Sequence, residues 1–187
     1  QKLKQAVKEV YGSAVALEIA ASELHAQDDC DSKKLEHDFW TCNAESIHLA
    51  NKLLNRISHS KKMPDENSVM LHFIKKSCEI FSIRLLHADF ETELALMRFL
   101  LKAAKMNLLA SENIDFINLK LNQLLEETVI TKEDDEKTAI HKTLSREAAC
   151  ALALEFYQKN ACADVVLKWK DVSENVDEFL EIRQIAT

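Results

Sequence analysis

The sequence predicts an all-α domain of about seven helices packed as antiparallel hairpins, either an irregular α-solenoid or a helical bundle. Three observations lead there. The 187 residues include one glycine, Gly12, and one proline, Pro64, too few for the turns of a β-sandwich or barrel. Apolar residues make up 47% of the chain, enough for a packed core and too many for general disorder. These residues recur three and four apart in long runs, which is the helical period.

A first helix is expected over 2–25, with Leu3, Val7, Val10, Ala14, Leu17, Ala21 and Leu24 on one face. The polar stretch 27–31 ends it. A second helix, 32–58, carries two apolar stripes: Leu35, Phe39, Cys42, Leu49 and Leu53, then Trp40, Ile47, Ala50 and Leu54. Two stripes imply cover on more than one side. The segment 59–68 holds the only proline and is the strongest loop signal. The chain reads as one domain, 1–187, and any subdomain break falls there.

The third helix is expected over 69–87, with Phe73, Cys78, Phe81 and Leu85 inward. Asp89 caps a fourth helix reaching Leu109, with stripe Phe90, Leu94, Met97, Leu101, Ala104 and Leu108. Residues 111–113 break it, and a fifth helix over 114–127 buries Ile117, Leu121 and Leu124. The β-branched run 128–131 is too short for a strand and reads as a linker that tucks two apolar side chains inward. Thr131 is expected to cap a sixth helix, placing Glu133, Asp134, Asp135 and Glu136 in its first turn, where the helix dipole favours acid. Its inward residues are expected to be Ile140, Leu144, Ala148, Ala151 and Leu152, with a stop at Asn160. The seventh helix, 163–182, presents Val165, Trp169, Val172, Val176 and Leu180 on one face.

Charge narrows the functions. The net charge is −7, whereas nucleic-acid modules show a basic face. The basic groups here, Arg56 with Lys61 and Lys62, then Lys75 with Lys76 and Arg84, are short and read as solvated helix faces. No run approaches the roughly 20 apolar residues of a membrane span. The five cysteines, Cys30, Cys42, Cys78, Cys150 and Cys162, have no C-x-x-C spacing. Cys42, Cys78 and Cys150 fall in helical apolar patterns and read as free thiols of a reducing compartment, so the expected setting is intracellular, cytoplasmic or nuclear. The chain starts at Gln1, and it is expected to be excised from a longer protein.

No catalytic set stands out, and no cofactor is expected. A G-x-S-x-G elbow is absent, because Gly12 stands alone. Glu45 and His48 form one E-x-x-H pair, but a di-iron bundle needs two such pairs. His37-Asp38 resembles the dipeptide of the metal-dependent HD phosphohydrolases. These four residues would serve an alternative: a bundle binding a small ligand, lipid or metal, with or without enzymatic activity.

The run 148–157, with small residues at successive turns and an aromatic end, resembles one helix of a tetratricopeptide-type hairpin. The pair 73–87 and 90–109 resembles another. The helix starts do not keep that family's period of about 34 residues. The resemblance implies a concave protein-binding surface in place of an active site.

The preferred expectation is therefore a non-catalytic scaffold or adaptor module that binds another protein. Its acids favour a partner with a basic segment. The candidate contacts are Glu126, Glu127, Glu133, Asp134, Asp135 and Glu136, with Trp40 and Tyr157 as aromatic anchors. A third expectation is a self-associating domain, a homo-oligomer with the Trp40 or Trp169 face as its seam.

Overall fold

The computed structural model describes residues 43–59 and 69–175. The expected helix over 2–25, the break at 27–31, residues His37, Asp38, Trp40 and Cys42, the loop over 60–68, and Val176 and Leu180 lie outside them. The described residues are all-helical and contain no strand. Six α-helices follow one another: α1 Asn43–His59, α2 Val69–Arg84, α3 Phe90–Lys105, α4 Ser111–Glu127, α5 Glu136–Gln158 and α6 Asp164–Glu174. A 3₁₀ turn, Leu85–His87, follows α2. The six correspond one for one to the second through seventh expected helices. None is long and apolar enough to cross a membrane.

The chain divides into two compact units, residues 1–80 and 81–187. In the first, α1 buries described residues from both expected stripes. Ile47, Ala50 and Leu54 of one stripe and Leu53 of the other are buried, and Ile57 joins them. In α2, Cys78 is fully buried, and burial pushes its thiol up to about 12.

The second unit shows how a chain nearly without glycine ends its helices. The backbone at Asn107 and Asn160 is left-handed, with φ of 58° and 60°. Asparagine is the residue after glycine that tolerates this region best. At the end of α3, the Asn107 amide donates to Ala104 O and the Leu108 amide to Ala103 O. At the end of α5, the Asn160 amide donates to Tyr157 O and the Ala161 amide to Phe156 O. Both ends are Schellman motifs, which satisfy carbonyls that a bare helix end leaves unpaired. Asn160 thus stops α5 as expected, while α3 stops at Lys105, short of the expected Leu109.

The helix starts need two corrections. Residues 111–113 do not break the chain; they open α4. The Asn113 side chain accepts from the Ala110 amide at 2.9 Å, so it supports the first turn. Thr131 does not cap α5. Asp135 does, accepting the Thr138 amide at 2.7 Å, and only Glu136 of the four acids lies in the first turn. Thr131 instead closes a separate turn: its amide donates to Asp134 Oδ2 at 2.8 Å. Aspartate outcompetes threonine as a cap here because its acceptor is charged. Asp89, by contrast, caps α3 as expected, through the Thr92 amide at 2.9 Å.

Helix α5 is central. It packs on α3, α4 and α6, and α3 lies more against α5 than against α4. Its buried face is Thr143, Ser145, Arg146, Ala149, Cys150, Leu152, Ala153 and Phe156. Of the five residues expected inward, only Leu152 is buried. Ile140 is 37% exposed, and Leu144, Ala148 and Ala151 are half-buried. Three neighbours wrap this helix, so its deepest sector mixes Leu152 and Phe156 with Ala149 and Ala153, and is not the stripe of Ile140, Leu144 and Ala148.

In α3 the expected stripe is partly right: Met97, Ala104 and Leu108 are buried, while Phe90, Leu94 and Leu101 are half-buried. Leu96, Phe99, Leu100 and Ala103 lie deeper, fully buried. Phe99 meets Phe81 edge to face, with centroids 5.2 Å apart. Ile117, Leu121 and Leu124 of α4, with Val165 and Trp169 of α6, are buried as expected. The linker after α4 behaves otherwise. Thr128 is buried and Val129 is 48% exposed, because the Thr128 hydroxyl back-bonds to Leu124 O and continues the helix end.

Candidate interaction surface

Helices α4 and α5 position most of the candidate residues. Glu126 and Glu127 are exposed in the last turn of α4, and Glu133 and Glu136 are exposed around the start of α5. Between them the linker is clamped. Lys142 Nζ, one and a half turns into α5, bonds both Asp134 oxygens at 2.9 and 2.8 Å. It also reaches Val129 O at 3.1 Å. The Lys142 ammonium and the Thr131 amide hold the Asp134 carboxyl below the usual carboxylate range. The bonds from Thr138 do the same for Asp135. Two of the six candidate acids are thus occupied in building the junction, and four face solvent.

Tyr157 is half-buried on α5, with Lys170 Nζ 4.4 Å from its ring centroid, a cation–π contact within the fold. Trp169 is fully buried, so its ring does not form a seam with a second copy. His48 is exposed on α1, and Glu45 lies one turn before it. Among the described residues, no group of three or more His, Cys, Asp or Glu side chains could hold a metal.

Two buried polar clusters escaped the sequence reading, because each joins residues far apart in the chain. In one, the Trp169 indole donates to Leu121 O at 2.9 Å, tying α6 to α4. The Arg146 guanidinium of α5 stacks over the same ring at 5.2 Å and donates to Thr128 Oγ1 at 3.1 Å. In the other, Lys120 of α4 meets Glu93 of α3 at 3.6 Å, both nearly buried. Burial pushes the Glu93 carboxyl up, against the pull of Lys120. Its Oε1 has no hydrogen-bond partner.

A cavity of about 200 Å³ opens where α3 and α5 end, lined by Ala104, Leu109, Ile114, Phe156 and Lys159 among others. It is smaller than the roughly 300 Å³ at which ligand pockets begin. The Lys159 ammonium is already engaged there, 2.6 Å from Asn107 Oδ1 and 3.6 Å from Glu155.

The chain matches no protein family, no curated protein and no solved structure.

One further apolar residue is exposed on α4. Leu119, on the solvent side of α4, is 56% exposed. The sequence carried a signal for it: Leu119 is two residues from both Ile117 and Leu121, which puts it opposite their stripe.

Proposed function

We propose that this protein is a non-catalytic interaction module that presents the α4–α5 junction to a basic segment of another protein. One observation carries the reading. Val129 and Ile140 are 48% and 37% exposed, and the stretch that holds them exposes the acids Glu126, Glu127, Glu133 and Glu136 against two bases, Lys132 and Lys137. Lys142 holds that linker against α5, so the surface is preformed and binding would cost little ordering entropy. An apolar centre with a charged rim is the usual anatomy of a protein interface. Cys78 and Cys150 as buried free thiols support an intracellular, reducing setting.

Affinity capture from lysate tests this. The chain is compared with a variant carrying Glu126→Lys, Glu127→Lys, Glu133→Lys and Glu136→Lys. Asp134 and Asp135 stay intact because they build the turn and the cap. The expected result is a protein retained by the first chain and lost by the second. Retention of no protein, or of the same proteins by both chains, overturns the reading.

A further inference from the structure

We infer that the solvent face of α4 binds a basic helical segment that carries one apolar anchor, with Leu119 as the contact for that anchor. The inference rests on the reading of the chain as an interaction module and names the partner's chemistry. The exposed residues of α4 past its first are Glu112, Asp115, Leu119, Asn122, Gln123, Glu126 and Glu127, and none is a cation. At 3.6 residues per turn, Glu112 and Glu126 each lie about two turns from Leu119, on the same stripe. The acidic stripe therefore spans about 21 Å at 1.5 Å per residue, with the leucine at its midpoint.

The two ends of this arrangement differ in what they do for the helix that carries it. Glu112 sits in the first turn, where the dipole favours acid. Glu126 and Glu127 occupy the last turn, where the dipole favours cations, and that turn contains no base. Local rules broken without a gain inside the fold mark sites that serve something outside it.

The charge pattern selects the occupant. A second copy in a two-fold contact would bring the same acids against themselves. Nucleic acid and anionic lipid would be repelled. A helix with Arg or Lys one and two turns on either side of an apolar residue matches both the sign and the spacing. It offsets the acids of the last turn and covers Leu119.

The test is a fluorescence-anisotropy titration of the full chain with a labelled, alanine-rich helical peptide. The peptide has a central Leu and Arg residues one and two turns to each side. Control peptides replace Arg by Glu, or the central Leu by Ser. The expected result is saturable binding of the first peptide, weakened about tenfold by either control. Leu119→Ser in the chain should weaken it about tenfold, as should Glu112→Gln with Asp115→Asn and Glu126→Gln. Helicity by circular dichroism should stay unchanged. Binding indifferent to the α4 variants, or no binding at all, overturns the inference. Binding lost with the charges but kept by Leu119→Ser is mere electrostatic adsorption and also overturns it. Lysate capture separates the two readings: a partner lost with the junction variant but kept by the α4 variants leaves the module standing and removes this face.

Discussion

Glu93 and the capping aspartates pull the pH dependence of stability in opposite directions. Asp89, Asp134 and Asp135 titrate low in the folded chain. Their contribution is present above the unfolded Asp value of about 3.9 and is lost as pH falls through the folded values. Glu93 titrates high. Its contribution is present below the unfolded Glu value of about 4.3 and is lost as pH rises through the folded value. Urea denaturation between pH 4 and pH 8 should therefore show a declining upper limb, and Glu93→Gln should flatten it. The same logic orders two variants at neutral pH. Glu93→Gln keeps the side chain's shape and removes a charge that burial disfavours, so its cost should stay below about 1 kcal/mol. Lys120→Met strands a buried carboxylate and should cost about 3 kcal/mol. Equal losses would refute the assignment of burial as the dominant effect on Glu93.

At the scale of elements, the two asparagine ends differ in what they can tolerate. Asn160 has left-handed backbone and Asn107 has both that backbone and the Lys159 bond. Asn160→Gly should leave stability unchanged or raise it by a few tenths of a kcal/mol, since glycine is freest at this φ. Asn160→Val should cost about 1–2 kcal/mol, because a β-branched residue resists that region. Thermal melts of the pair decide it, and a Val variant as stable as the Gly variant would contradict the Schellman assignment. Helix α5 makes a second claim. Its inner face includes two small residues, Ala149 and Ala153, that are fully buried. Ala153→Leu, which changes helix propensity little, should cost about 2 kcal/mol by overpacking against the neighbouring helices. Ile140→Ala at the exposed start should change stability by less than about 0.5 kcal/mol. The reverse order would restore the inward face that the apolar periodicity implied.

Across the second unit, Trp169 is where α4, α5 and α6 are joined. Its ring is buried, its indole is bonded to α4, and Arg146 of α5 covers its face. Trp169→Phe keeps most of the apolar volume and removes the indole donor, so it should cost about 1–2 kcal/mol. Trp169→Ala should cost about 3–5 kcal/mol. With Trp169→Phe, amide exchange along α4 and α6 should accelerate together, since the bond couples those two helices. Acceleration confined to α6 would show that the bond does not couple them.

The sequence by itself determined the helical class, the order of the helices, and several of their ends. The scarcity of Gly and Pro, the apolar period, Asp89 as a cap and Asn160 as a stop act within a few residues of each other in the chain. They are therefore legible without a fold. The acids of the α4–α5 junction were legible for the same reason, but their division of labour was not. Asp134 is taken by Lys142 eight residues away, and Asp135 displaced Thr131 as the cap. Only the tertiary structure decided which sector of α5 faces inward, because three packed neighbours override the expected apolar stripe. It also decided that the Trp169 indole bonds to α4 and that Glu93 meets Lys120. Each of those outcomes depends on what another helix places opposite the residue, and a one-dimensional pattern does not contain that.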